Sequence, residues 1–168
     1  YKGHMDLLKA LEIFSKQADG PFKLLFVGRD DGEKFKQQEY AKELGIFETV
    51  IWLDEQSSPR DFISIADVGI LASHQEGMSN ALLEKMSAAL PVIATNVGGN
   101  VDLVKHAENG FLVTSRSPVE ISNAMLAFYQ NKKLRNKLGK SAEKSANGDF
   151  NFDKMIKLYT TVYGEILN

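Results

Sequence analysis

Two carboxylates and a polar turn near the middle of the chain are the residues best suited to bind a ligand. Glu76 and Glu84 lie eight positions apart, and the small polar turn 77–80 leads into a helical pattern over 79–90. With Ser79 as the N-cap, the core face of this helix carries its apolar residues: Leu82, Leu83, Met86, Ala89 and Leu90. Glu84 then points the other way, among small residues, where its carboxylate can accept hydrogen bonds from vicinal hydroxyls such as those of a ribose.

The start of the same helix offers a place for an anion. The main-chain amides of residues 79–82 are predicted to lack helical partners, and the helix dipole adds positive potential there. Glu76 lies just before them, within reach of whatever a bound phosphate carries. The spacing alone leaves a second interpretation open, in which Glu84 is an ordinary exposed helix residue and Glu76 an ordinary loop charge.

These residues fall within a regular alternation of strands and helices. Short apolar runs predict strands at 23–28, 49–53, 67–72, 92–95 and 111–113. Amphipathic patterns predict helices at 5–17, 33–44, 59–65, 79–90, 100–106, 117–129, 131–146 and 152–166. This order is typical of an α/β fold, a Rossmann-like doubly wound parallel sheet covered on both faces. Ligands bind at the carboxyl ends of such strands, so the site is expected among loops 28–32, 53–58, 73–79 and 96–100.

Local signals place several of the helix ends. Gly45 suits the C′ position of the second helix, and Pro59 the first turn of the third. Ser117 and Glu120 have the spacing of a capping box. The last helix carries an apolar stripe that we interpret as core packing, part of it bare if the helix crosses to another domain: Phe152, Ile156, Tyr159, Val162, Tyr163 and Ile166.

The composition excludes several classes of protein. The 168 residues, with 43% hydrophobic residues and a net charge of −2, are sufficient for one domain with a real core. No basic excess favours nucleic-acid binding. The sequence contains no cysteine, which rules out disulfides and thiolate metal sites and suits the cytosol. No apolar run approaches the roughly 20 residues that span a bilayer.

Other chemistries have weaker support. His74 lies close to Glu76, but a lone loop histidine is more often exposed or packed than bound to a substrate. His4 and His106 have no partners at metal-ligand spacing, so no metal site is predicted. The segment 28–32 could line the pocket, beginning with Gly28, but it lacks the G-x-G-x-x-G pattern of a dinucleotide fold. No phosphate-binding P-loop and no nucleophile elbow occur.

The central segment resembles a known family. Residues 76–84, followed by 86–95 and 97–99, resemble the Glu-x7-Glu signature of retaining nucleotide-sugar glycosyltransferases of family 4, also called group 1. The Lys-Gly helix start at 2–10 and the strands around 66–73 and 109–113 are similar to those of the family as well. The resemblance covers nearly the whole chain.

The resemblance implies a role for each matching residue. In the family this region is the C-terminal, donor-binding half of a two-domain GT-B fold. Glu84 would hold the ribose hydroxyls, and Glu76 would contact the donor sugar together with amides of Gly77, Met78 and Ser79. Amides near Asn80 and Ala81 would hold the diphosphate, assisted by Lys2, and Leu53 and Asp54 would edge the nucleobase. Glu76 and Lys2 are therefore the catalytic candidates.

The implied activity is hexosyl transfer from a UDP- or GDP-linked sugar to an acceptor, with retention at the anomeric carbon. In the family, the lysine that corresponds to Lys2 and an upstream arginine form a cationic clamp around the diphosphate. Such a clamp would replace a metal, so no obligatory divalent ion is expected. Residues 1–168 would be a single nucleotide-sugar-binding domain, a fragment of a two-domain protein with its C-terminal helix at 150–168. We expect an N-terminal acceptor domain in cis, without which the fragment is inactive. The full-length enzyme is expected to work in polysaccharide or glycolipid biosynthesis in the cytoplasm, with peripheral association at the inner face of the membrane.

The sequence departs from the family pattern at two places. The family pairs its lysine with an upstream arginine that would lie before Tyr1, and Asp102 stands where the family usually has glutamate. Two alternatives therefore remain beside the transferase. One is a nucleotide-sugar epimerase of the same architecture, and the other is a non-catalytic nucleotide-binding module.

Overall fold

A computed structural model describes residues 1–150 and 152–167, apart from the side chains of residues 149, 152, 153, 155 and 167. The strands are β1 (Leu24–Val27), β2 (Val50–Leu53), β3 (Gly69–Leu71), β4 (Val92–Thr95) and β5 (Gly110–Val113). The helices are α1 (His4–Ser15), α2 (Lys34–Glu43), α3 (Pro59–Ile65), α4 (Asn80–Ser87), α5 (Asn100–Leu103), α6 (Pro118–Gln130), α7 (Lys132–Asp149) and α8 (Phe152–Leu167). A short 3-10 helix, Phe47–Thr49, precedes β2.

All strand pairs are parallel, and helices cover both faces. β1 pairs with β2, and β4 lies between β3 and β5. Ile93 of β4 packs into the cluster built mainly by α1 and α6, whereas Val92 and Ala94 pack with α4, α5 and α7. This alternation confirms the predicted α/β, doubly wound architecture. It also places the carboxyl ends of paired strands at one edge, where the predicted loops lie.

The fourth helix ends earlier than predicted. α4 stops at Ser87 rather than Leu90, because Ala89 adopts a left-handed conformation with φ 58°. The amides of residues 89 and 90 return to the carbonyls of Met86 and Lys85, at 3.0 and 3.1 Å, which is the hydrogen-bond pattern of a Schellman motif. Alanine at this position carries no sequence signal for a helix end. The prediction for α5 was also too long, since that helix ends at Leu103.

Two helix-end predictions had different outcomes. Gly45 follows α2 with φ 70°, as expected for a C′ glycine. The predicted capping box is wrong: the Ser117 side chain makes no capping hydrogen bond, and Glu120 instead accepts from the amide of Thr114 at 2.8 Å. Glu120 therefore ties the helix to the end of β5 rather than to its own N-cap.

The apolar stripe of α8 is exposed, so the prediction of core packing for it is wrong. The described members of the stripe are between 45% and 72% exposed: Ile156, Tyr159, Val162, Tyr163 and Ile166. The side chain of Phe152, also assigned to the stripe, lies outside the described part of the chain. No helix of the described residues combines the length and hydropathy of a membrane span.

Candidate functional site

The two residues predicted to be catalytic lie in contact although they are 74 positions apart. Lys2 Nζ donates a hydrogen bond to Glu76 Oε1 at 2.8 Å, and Ser73 Oγ donates to the same oxygen at 2.7 Å. The Lys2 side chain is 45% exposed and that of Glu76 only 12%. Glu76 is thus anchored inside the loop, while the lysine reaches it from solvent and is free to change partners.

The charges of this pair are reinforced by their contact. The hydrogen bond to Glu76 raises the pKa of Lys2 above its ordinary value. Burial raises the pKa of Glu76, but the hydrogen bonds from Lys2 and Ser73 together lower it by more than burial raises it. The pKa of Glu76 therefore lies below its ordinary value. Both groups are therefore charged at neutral pH.

The start of α1 is packed directly on the end of β3, which explains how Lys2 reaches Glu76. Gly3 has φ 70°, and a Cβ there would lie 1.9 Å from the carbonyl oxygen of Ala72. The amide of His74 donates to the carbonyl of Tyr1 at 2.8 Å. Only glycine allows this approach, so the Lys-Gly pair in the sequence reflects a steric need.

A second glycine turn supports the Glu76 loop from the other side. Gly98 has φ 47°, and a Cβ there would lie 1.7 Å from the carbonyl oxygen of Glu76. The amide of Gly99 donates to the carbonyl of Gly77 at 3.0 Å. The loop after β4 therefore forms a backbone support for the loop after β3.

Replacing Gly98 by alanine is expected to lower the free energy of unfolding by about 2 kcal/mol or more, because the left-handed backbone alone costs a non-glycine residue about 1–2 kcal/mol and the clash with Glu76 adds to it. Urea denaturation measures the change. Gly77→Ala is the matched control, since Gly77 has no atom within 4 Å of a built Cβ and no positive φ. Equal destabilisation by the two variants would contradict this account.

The N-terminus of α4 is partly free. Ser79 is the N-cap, and its Oγ accepts from the amide of Leu82 at 3.3 Å. The prediction that the Leu82 amide is available to a ligand was therefore wrong, because the capping serine already occupies it. Asn80 and Ala81, the first two helical residues, are exposed and have amides without intrahelical partners. These amides can still bind an anion.

Glu84 lies on the outer face of α4, as predicted. Its side chain is exposed, and Asn80, Ala81 and Ala88 on the same face are exposed too. The opposite face packs into the core, where Leu82 and Met86 are fully buried. Within the described part of the chain the Glu84 side chain makes no hydrogen bond or ion pair, so its carboxylate is available to a ligand.

A cavity of about 510 Å³ opens beside Lys2, at the carboxyl ends of β1 and β2. Its walls include the predicted residues Lys2, Gly28, Leu53 and Asp54. Glu76, Glu84 and the turn 77–81 do not line it. The predicted site therefore has two parts, the cavity and the start of α4, and Lys2 belongs to both because it lines the first and contacts Glu76 in the second.

Polar contacts that the sequence did not reveal hold the cavity rim. Lys34 Nζ donates to Asp54 Oδ1 at 2.6 Å. Asp30 Oδ1 accepts from the amides of Gly32 and Lys34, at 2.8 and 3.1 Å. The Asp-x-Gly spacing at 30–32 was the available sequence signal for this turn.

The three histidines differ in their surroundings. His74 Nε2 lies 2.5 Å from Asp6 Oδ2, and both residues line the cavity. His4 contacts Gln37, and burial lowers its pKa. His106 bonds to the backbone of Leu112, far along the chain from the site. Within the described ranges no three His, Cys, Asp or Glu side chains are grouped as a metal site would require.

A smaller cavity of about 260 Å³ lies at the amino ends of β3 and β4, away from these residues. Its walls come from α3, the end of α4 and the start of α7, including Asp67, Pro91 and Arg135. None of the predicted site residues lines it.

Known proteins resemble this chain over most of its length. Residues 1–145 match the family model described as "Glycosyl transferases group 1". The chain is 27% identical over 163 residues to N-acetyl-alpha-D-glucosaminyl L-malate synthase of Bacillus anthracis, covering 96% of the chain and 42% of that protein. The structure of Anabaena HepE in complex with UDP superposes with a TM-score of 0.90 at 22% identity, covering 98% of the chain and 46% of HepE.

A third comparison concerns a single domain. The C-terminal domain of LpcC, a glycosyl transferase group 1 family protein from Francisella tularensis, superposes with a TM-score of 0.80 at 22% identity, covering 90% of the chain and 80% of that domain. By contrast with this single domain, the malate synthase and HepE are more than twice the length that the chain covers, so the chain spans less than half of each.

Proposed function

Because the chain belongs to the group 1 glycosyl transferases, we propose that it is the donor-binding half of an enzyme that transfers a sugar from a nucleoside diphosphate sugar to an acceptor with retention. Its fold is that of the C-terminal half of the GT-B architecture, as predicted. One observation carries the proposal: Lys2 contacts Glu76, and Glu76 lies in the loop that leads into α4, whose first amides are free. A cation and a carboxylate are thus in contact on a loop that ends at an anion site.

The chemical requirement is to stabilise the negative charge that develops on the leaving diphosphate. Preorganised donors aimed at such a charge are often the largest contribution to catalysis. The amides of Asn80 and Ala81 are exposed at a helix N-terminus, and Lys2 supplies a full positive charge nearby. In the proposed complex the diphosphate replaces Glu76 as the partner of Lys2. Glu76 keeps its hydrogen bond from Ser73 and is free to accept from hydroxyls of the donor sugar.

The nucleoside is proposed to lie between Glu84 and the cavity. Glu84 accepts from the ribose hydroxyls, while Gly28, Leu53 and Asp54 border the base. Backbone groups at Gly77, Met78 and Ser79 face the sugar end. HepE, of similar fold, has been crystallised with UDP, which supports a nucleoside diphosphate in the corresponding part of this chain. We propose a UDP- or GDP-linked donor, and assignment to family 4 with Glu76 and Glu84 as its paired glutamates.

Lys2 and the helix amides together can balance much of the diphosphate charge, so we propose that no divalent ion is obligatory. An arginine upstream of Tyr1 and an N-terminal acceptor domain are proposed to complete the cleft in the full-length protein, since the relatives are longer than this chain. Cytoplasmic location and membrane contact of the full-length enzyme stay predictions.

A product analysis of the full-length protein tests this function. With UDP- and GDP-sugars and an acceptor extract, we expect release of free nucleoside diphosphate and a glycoside with the anomeric configuration of the donor by proton NMR, undiminished by a metal chelator. An epimerised nucleotide sugar without nucleotide release would instead identify the epimerase. Binding without turnover in any combination would favour the non-catalytic module.

A further inference from the structure

A partly buried edge of the site is held by a contact that the proposed mechanism does not use. His74 Nε2 and Asp6 Oδ2 are 2.5 Å apart, with side chains 26% and 24% exposed. Asp6 belongs to the first turn of α1, four residues after Lys2. His74 belongs to the loop after β3, two residues before Glu76. The contact therefore joins the segment that carries the cation to the segment that carries the carboxylate.

It is one of three polar links between the same two segments. The others are the ion pair of Lys2 with Glu76 and the hydrogen bond from the His74 amide to the Tyr1 carbonyl. If the proposed function is right, the ion pair opens when a diphosphate takes Lys2 as its partner. The two links made by His74 are then all that remains of the polar contact between these segments.

We propose that His74, held by Asp6, is a positioning residue that fixes the Glu76 loop against the start of α1 while the donor is bound. This inference rests on the proposed function. A hydrogen bond with an ionised carboxylate is about twice as strong as a neutral one, which suits a contact that must hold when its neighbour opens. The backbone bond at His74 attaches the loop to the start of α1 at one point, and the side chain attaches it at a second.

The proposal predicts which part of a ligand is affected. Glu84 belongs to α4, and the proposed base-binding residues lie at the ends of β1 and β2. His74 lines the same cavity, but its hydrogen bonds in the described chain go to Asp6 and Tyr1 and not to these elements. Loss of the contact between His74 and Asp6 should weaken binding of the second phosphate and the sugar and leave binding of the nucleoside intact. A residue needed only for folding would weaken every ligand equally.

Calorimetric titration of the chain distinguishes these cases. For His74→Ala and for Asp6→Ala we expect affinity for UDP-glucose or GDP-mannose to fall by about tenfold, because small misplacements of binding groups are costly. Affinity for UMP or GMP, which lack the second phosphate and the sugar, should stay unchanged. The double variant should be no weaker than either single one, since both remove one contact.

Two further variants complete the design. His74→Gln keeps an N–H that can donate to Asp6 and should retain most of the affinity. His106→Ala is the matched control, because His106 is also hydrogen-bonded, to the backbone of Leu112, but lines neither cavity. It should change neither affinity. If His74→Ala does not fold, Asp6→Ala and His74→Gln still give the comparison.

Equal losses for the sugar nucleotide and the monophosphate, or additive losses in the double variant, would overturn the inference while leaving the proposed function standing. An unchanged affinity for the sugar nucleotide in His74→Ala and Asp6→Ala would do the same. Failure of the unaltered chain to bind any of the four nucleotides would overturn the proposed function, and the inference with it.

Discussion

Replacing Lys2 by methionine in the full-length enzyme is expected to lower kcat about 100-fold or more, the size of effect seen when one preorganised charge-stabilising donor is removed from a catalytic site. Methionine keeps the length of the side chain and removes its charge. Lys2 is the cation in contact with Glu76, and its raised pKa keeps it charged through the neutral range. Steady-state kinetics with a saturating donor measure the loss.

The matched control for this variant is Lys9→Met, in helix α1, which begins two residues after Lys2. Lys9 pairs with Glu12 at 3.1 Å, and Lys16 also pairs with that carboxylate, so Glu12 keeps a cation when Lys9 is lost. Turnover of this control should equal that of the unaltered enzyme. A urea unfolding curve for Lys2→Met separates lost catalysis from lost stability, because the variant leaves Glu76 with Ser73 as its remaining partner. Unchanged kcat in a folded Lys2→Met enzyme would remove Lys2 from the mechanism.

Replacing Glu84 by alanine is expected to raise the Kd for nucleoside diphosphates about 10- to 100-fold. The ribose hydroxyls would lose hydrogen bonds to a charged group, each of which contributes about 1.5–3 kcal/mol, and about 1.4 kcal/mol corresponds to tenfold in affinity. The Glu84 side chain is exposed and makes no hydrogen bond or ion pair in the described chain, so its removal should cost little stability. Calorimetry with UDP and GDP measures the change.

Glu143→Ala provides the comparison for Glu84. Glu143 is likewise an exposed helical glutamate, on α7, and no ion pair of it is recorded in the described chain. We expect its loss to leave nucleotide affinity unchanged. A 2′-deoxynucleotide lacks one of the two ribose hydroxyls, so it should bind the unaltered chain more weakly, and Glu84→Ala should weaken its binding less than that of the ribonucleotide. Independent losses from the deoxy ligand and the variant would show that Glu84 does not contact the 2′-hydroxyl.

Local sequence patterns were sufficient to predict the bounds of an element where a short segment determines its own structure. The bounds of α3 and β4 were predicted to the residue, because Pro59 suits a first helical turn and the run 92–95 is apolar and β-branched. The outward direction of Glu84 followed from helical periodicity alone. The end of α4 did not, since Ala89 takes a left-handed conformation that alanine rarely adopts.

Contacts between distant segments were harder to predict. The family motif placed Lys2 and Glu76 in one site, but their direct hydrogen bond depends on Gly3 packing against Ala72, which no local pattern reveals. The contact of His74 with Asp6 spans 68 positions and joins two side chains of common type. Glu120 likewise accepts a hydrogen bond from the amide of Thr114 and not from the amide of its N-cap residue, because the turn before α6 brings the Thr114 amide within reach.

A nucleotide sugar is proposed to bind at the N-terminus of α4 and at Lys2, and amide NMR during a titration tests this location. On adding UDP-glucose or GDP-mannose to the labelled chain, the largest shift changes should occur at Gly77, Ser79, Asn80 and Ala81, with smaller ones along the cavity. The amides around Pro91 and Arg135, at the second cavity, should not move. Changes confined to that second cavity, or none anywhere at millimolar ligand, would contradict the account.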